Sequence, residues 1–251
     1  MSLAALRSSH TDSVTSSLLM PRRRGDADGQ ASNVNGSTAP TYVLDWQSPV
    51  VAELAGTLGE AADRDWLRQA HSAIAARIRP VYALNDLQAA SKTIRRGRGS
   101  CSQRLAVLET LARRHGIPTR VEGIAVDGRF WYPRFSCTPW LVPHRVILAW
   151  PEFRIAGRWV PAGELFGSHD VPTRAFTNDG DETLYDAIGR TGVSWSGSCS
   201  DGACDLSGHV LETLGYFDHR DELFARHGQT LCLTARTLGE PLMAHRSAGA
   251  R

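Results

Sequence analysis

The chain predicts an α+β fold. An amphipathic helix entered through glycine is followed by several short strands with hairpin turns, and helical patterns return only near the C-terminus. At 251 residues with 42% apolar and 22% charged side chains, there is enough chain for a sizeable buried core.

The helical part comes first. Residues 1–40 carry Ser, Gly, Asn, Asp and Arg without periodicity and read as a disordered tail. Ser48-Pro49 has the form of a helix start, with Val50, Val51, Leu54 and Leu58 following at helical spacing. A second helix is predicted from Asp63 to about Arg79, on the stripe Trp66, Leu67, Ala70, Ile74 and Ile78, ending at Pro80. After a turn over Arg95 to Gly99, a third helix opens at Ser100 or Cys101. Leu105, Leu108, Leu111 and Ala112 form its apolar face, Gly116 closes it and Pro118 lies just beyond.

The pattern then changes to strands. Thr119 to Val126 and Arg129 to Phe135 flank Asp127-Gly128, a hairpin signal. His144 to Trp150 reads as a buried strand. Glu152 to Ile155 and Arg158 to Val160 flank a second turn at Ala156-Gly157. Further on, Glu182 to Arg190, Leu206 to Leu214 and Arg220 to His227 read as helices.

Bulk properties exclude some classes. A net charge of +2 gives no reason to expect a nucleic-acid partner. Lys92 is the single lysine, a bias better explained by codon usage than by a demand for guanidinium. No apolar run approaches a membrane span, and no signal-peptide pattern opens the chain. The five cysteines, Cys101, Cys137, Cys199, Cys204 and Cys232, are odd in number and unevenly spaced, which fits a reducing, cytoplasmic compartment better than a disulfide framework. There is no phosphate-binding glycine loop and no dinucleotide fingerprint.

Cys101 is the candidate nucleophile. A thiol reacts as thiolate, and a helix N-terminus favours that form while offering amides to an oxyanion. Arg95, Arg96 and Arg98 add positive potential upstream. The competing view is a small buried cysteine at a helix start. The aromatic cluster Phe130, Trp131, Tyr132, Phe135, Trp140 and Trp150 lines a substrate cleft or packs a sheet. Cys199, Cys204 and His209 stand close together, a loose pattern for a metal and equally one for a local disulfide.

Gly99-Ser100-Cys101-Ser102-Gln103, His115-Gly116-Ile117-Pro118-Thr119-Arg120, Ala149-Trp150-Pro151-Glu152-Phe153 and Gly157-Arg158-Trp159-Val160-Pro161 resemble the transglutaminase-like superfamily, over roughly residues 65–166. The resemblance implies a papain-like core for residues 41–170, with residues 171–251 as a helical C-terminal extension packed on it. It also implies acyl transfer or amide hydrolysis through a Cys101 thioester. The partners would be a peptide or small-molecule acyl donor and acceptor, with neither cofactor nor metal and no membrane partner. Trp131 and Trp150 would be the substrate-binding aromatics.

The match departs from the family at two positions. Leu148 stands where the family has its histidine, and Gly163 near where it has its aspartate. Three readings follow. In the first, an imidazole from elsewhere serves as base. His144 is four strand residues from Leu148, about 13 Å, with Glu164 as orienting acid, and His169 beside Asp170 or His209 are the other imidazoles. In the second, the domain is a catalytically inactive binding or scaffold module. In the third, the segment around Cys199 and Cys204 has a metal or redox role.

Overall fold

The computed structural model describes residues 34–167, 174–180, 182–198, 203–231 and 247–248. Helices α1 (Pro49–Ala55) and α2 (Asp63–Arg77) come first, then β1 (Arg79–Pro80), α3 (Ala90–Arg96) and β2 (Arg98–Gly99). Helix α4 (Cys101–His115) leads into β3 (Thr119–Asp127), β4 (Arg145–Ile155) and β5 (Arg158–Pro161). Helix α5 (Leu184–Arg190), β6 (Val210–Phe217) and α6 (Arg220–His227) complete the order. The main sheet runs β5-β4-β3-β6, every neighbouring pair antiparallel, while β1 and β2 form a separate parallel ladder.

Helix α4 is the centre of the molecule. Every residue from Gln103 to Arg113 is buried, so the helix is enclosed on all sides. Its apolar members Leu105, Val107, Leu108, Leu111 and Ala112 share one core with Trp66, Leu67 and Ile74 of α2, with Ile124 and Val126 of β3, and with Leu148 and Trp150 of β4. Three buried charges on α4 are each paired with a different stretch of chain, although the Arg104 Nε and one Glu109 carboxylate oxygen keep no hydrogen-bond partner among the described residues. Arg104 pairs with Asp186 at 3.1 Å, Glu109 pairs with Arg220, and Arg113 bonds the Ala39 and Asp218 carbonyls and the Thr119 hydroxyl. Burying a charge is tolerated only with such partners. Asp186, Asp218 and Arg220 are thereby tied to the central helix.

Three expectations change. Arg129 to Phe135 is not a strand: β3 passes into 3₁₀ turns over Gly128–Phe135. The Asp127 carboxylate accepts the Arg129 amide, and Phe130 turns into the core. A Cβ at Gly128 would lie 1.8 Å from the Pro143 carbonyl oxygen, so the two ends of this connection touch where the hairpin turn was expected. Leu206 to Leu214 is not a helix. Its second half is β6, recruited by the edge of β3 with Val126 opposite Val210 and Val121 opposite Phe217. The C-terminal extension is thus not purely helical, because long-range pairing outweighs local propensity there. The third change concerns the start: Ser37 exchanges two 3.0 Å backbone bonds with Thr119, so docked chain begins before the tail's expected end.

The second hairpin is present, with Ala156 and Gly157 at φ +49° and +79°, the signs a type I′ turn needs. Gly116 closes α4 at φ +92°. Among the described residues no helix is long and apolar enough to cross a membrane.

Candidate active site

Cys101 is the first residue of α4 and carries a half-buried free thiol. A capping box holds the helix start. The Ser100 hydroxyl accepts the Gln103 amide, and the Gln103 side-chain carbonyl accepts the Ser100 amide, each at 3.3 Å. This closes the third amide of the first turn and leaves those of Cys101 and Ser102 without a described partner. Two donors therefore stand beside the thiol at the positive end of a 15-residue helix. Gly99 is required by packing within the chain: a Cβ there would lie 2.8 Å from the Thr93 methyl and 3.3 Å from the Gln103 Cβ.

Arg220 reaches this turn from α6. Fully buried, its guanidinium bonds Glu109 and the Ser102 carbonyl at 3.1 Å, with the Ser102 hydroxyl at 3.4 Å. The residue following the thiol is thus held by a part of the chain far from it in sequence.

The other two family positions are filled differently. Leu148 is 5% exposed and belongs to the core cluster that Cys101 borders. Gly163 is buried, and a Cβ on it would sit 1.8 Å from the Val193 carbonyl oxygen and 3.1 Å from the Trp150 ring. Val193 also donates its amide to the Gly163 carbonyl at 3.2 Å. Next to it, Trp195 sets its ring edge-on to Trp150 at 5.9 Å and to Phe130 at 5.7 Å, with its indole N–H buried and unpartnered. The segment through Val193 and Trp195 closes the space a carboxylate at 163 would need.

The other candidates are dispersed. His144 is exposed and lies just before β4, its carbonyl accepting the Gly128 amide. His209 is exposed before β6, its ring 5.0 Å from Phe130. Through the register of Val126 with Val210 and Asp127 with Arg145, these two imidazoles flank the end of β3 from opposite sides. Glu164 is exposed, and its backbone carbonyl holds Arg64 at 2.9 Å. Trp131 is half-buried, edge-on to Phe130 at 4.8 Å, whereas Trp150 is enclosed in the core. His169, Asp170 and Cys199 lie outside the described residues. Cys204 is disulfide-bonded, which removes its thiolate from any metal site, and among the described residues no group of three or more His, Cys, Asp or Glu is placed to hold a metal ion.

One buried imidazole was not singled out from the sequence. His71, on α2, stacks on Tyr185 at 4.2 Å and donates to the Tyr185 carbonyl at 2.8 Å, while the Tyr185 hydroxyl donates to the His71 carbonyl at 3.2 Å. Burial lowers His71 to a pKa of about 4, so it is neutral at physiological pH. Tyr185 is fully buried, with Arg104 4.1 Å above its ring, and burial pushes its hydroxyl far above the ordinary range. The signal was present: His71 falls on the apolar stripe between Leu67, Ala70 and Ile74.

The family model described as the transglutaminase-like superfamily matches residues 52–163. No curated protein and no solved structure matches the chain. The match spans the Cys101 helix, strands β3 and β4 and the Gly-Arg-Trp hairpin: residues 52–163 are a transglutaminase-like domain.

Proposed function

We propose that this protein is a thiol acyltransferase in which Cys101 takes an acyl group from a thioester and passes it to an amine or to water. The acyl group is that of a small metabolite or peptide. The observation that carries this reading is the free Cys101 thiol at the start of α4 with the Cys101 and Ser102 amides open beside it. Those amides can receive the oxyanion formed when the thiol attacks a carbonyl.

The leaving group decides between donors. An amide expels an amine, which must be protonated as it leaves, and that is the task of the family's imidazole. Leu148 stands in that place, and among the described residues no imidazole is hydrogen-bonded to Cys101. A thioester expels a thiolate, which leaves without a proton and takes up the one the Cys101 thiol loses. The acyl-Cys101 thioester then meets an amine that attacks through its own lone pair, giving an amide and regenerating the thiol.

Mass spectrometry of the protein after incubation with an acyl thioester tests this. The expected result is a single acyl adduct on Cys101, absent in Cys101→Ala and discharged by an added amine. Faster turnover of a simple amide than of the matched thioester would overturn the preference. The rate of Cys101 alkylation, compared in wild type and in His144→Ala, reports whether His144 assists: equal rates would show that the thiol works without it, and a slower variant would make His144 its partner.

A second reading, a non-catalytic binding module, is favoured by the Leu148 side chain in the core and by the Val193 carbonyl against Gly163. It predicts an ordinary thiol and no acyl adduct.

A further inference from the structure

The chain between Ile74 and Leu108 carries seven basic residues and one acid, Asp86, within a protein whose formal net charge is only +2. The fold gathers part of this charge directly upstream of the thiol. In the parallel ladder Arg79 pairs with Arg98, and the Arg79 amide donates to the Gly97 carbonyl at 2.9 Å. Paired residues of neighbouring strands project to the same side. The Arg77 carbonyl lies 3.7 Å from where a Cβ on Gly97 would sit, so the end of α2 abuts the same turn. Arg98 precedes Cys101 by three residues, so its Cα lies within about 11 Å of the nucleophile by chain reach.

Arg77, Arg79 and Arg98 have no ion-pair partner among the described residues, Arg77 and Arg79 are exposed, and the Arg98 Nε is buried without a hydrogen-bond partner. Arg77, in the last turn of α2, also complements that helix's dipole. Arg79 and Arg98 lie outside any helix, and their pairing across the ladder sets two positive charges without an ion-pair partner on neighbouring strands, a repulsion that a bound anion would relieve. Arginine matches phosphate through paired N–H donors.

We propose that the Arg79–Arg98 pair of the ladder, with Arg77 at the adjoining end of α2, is the binding site for the phosphate groups of the acyl donor, a thioester whose leaving thiol carries phosphate through a flexible arm. This rests on the thioester reading above and narrows it to phosphopantetheine-type thiols. The phosphates anchor on the ladder, and the arm brings the thioester carbonyl to Cys101 and the open amides of α4. Two sources share this chemistry, free coenzyme A and a 4′-phosphopantetheine arm on a carrier.

The test is calorimetric titration of full-length Cys101→Ala with coenzyme A, 4′-phosphopantetheine and pantetheine, repeated in Cys101→Ala with Arg77→Gln and Arg79→Gln, two exposed positions chosen to spare the fold. Wild-type acylation by acyl-coenzyme A and acyl-pantetheine is followed in parallel. The expected result is coenzyme A binding at least about tenfold tighter than pantetheine, weakened in about 0.5 M salt and lost in the double substitution. Tight binding of coenzyme A alone assigns the free coenzyme, and equal binding of 4′-phosphopantetheine assigns a carrier-borne arm. Equal affinity for coenzyme A and pantetheine, or affinity unchanged by the double substitution, would overturn the site. Binding of coenzyme A without wild-type acylation would leave the site standing and sink the acyl-transfer reading. Equal acylation by both thioesters without coenzyme A binding would do the reverse.

Discussion

The carbonyl oxygen of Val193 occupies the space that any side chain on Gly163 would enter, 1.8 Å from its Cβ position. The family's acid is therefore not merely replaced at this position. Its place is taken by backbone from a segment outside the matched region. Gly163→Ala must displace that backbone and is expected to destabilise the protein by about 1–3 kcal/mol, as overpacking does. Gly163→Asp is expected to cost at least as much. Thermal denaturation checks both, and unchanged melting temperatures would mean that the Val193 segment yields freely.

Leu148→His restores the family's base at its own strand position. It replaces a core side chain by a polar ring and is expected to cost about 2–4 kcal/mol. The alkylation profile of Cys101 should move to lower pH, because an imidazolium opposite the thiol favours the thiolate. A profile identical to wild type would show that the strand position and the thiol are not opposed.

Arg220 and Glu109 form a fully buried pair, and Arg220 also holds the Ser102 carbonyl. Arg220→Met strands a buried carboxylate and is expected to lose about 3–5 kcal/mol in chemical denaturation, most of it regained in Glu109→Leu with Arg220→Met. Because the double variant still frees Ser102, its Cys101 alkylation should remain slower than wild type. Full recovery of both quantities would make the pair purely structural.

His71 makes the fold acid-sensitive. Its folded pKa is about 4, below the ordinary value of 6.5, so between those values the unfolded chain binds a proton that the folded chain does not. Stability is expected to rise as pH climbs from about 4 to about 6.5, by about 3 kcal/mol for a shift of this size. In His71→Phe that slope should flatten, as measured by urea denaturation at a series of pH values. A slope equal to wild type would assign the acid sensitivity to other groups.

The helices were legible because their signals are local. The glycine turn ending at Gly99, the apolar positions from Leu105 to Ala112, and Gly116 mark α4 from start to stop without any knowledge of neighbours. Ala156-Gly157 was legible for the same reason, since two left-handed residues in succession dictate the turn. Asp127-Gly128 carried a similar signal and failed: the Asp127 carboxylate caps a 3₁₀ turn, and Phe130 gains more by entering the core than a strand would offer it. The helix expected over Leu206 to Leu214 failed because the strand state of Val210–Phe217 exists only against the edge of β3.

For the site, the sequence by itself determined the setting of Cys101 and the departures from the family at positions 148 and 163. A cysteine at the start of a glycine-entered amphipathic helix, a leucine at 148 and a glycine at 163 are all readable in order along the chain. Only the tertiary structure decided what replaces the partners: the Leu148 side chain joins the core, and Val193 and Trp195 close over Gly163. It also decided that Arg220 grips Ser102 and that Arg79 lies beside Arg98. Helix caps and turns are set by interactions within a few residues, which a sequence displays. Contacts between residues 163 and 193 or 102 and 220 depend on how layers pack, and the side chains that make them carry no local mark of their partner.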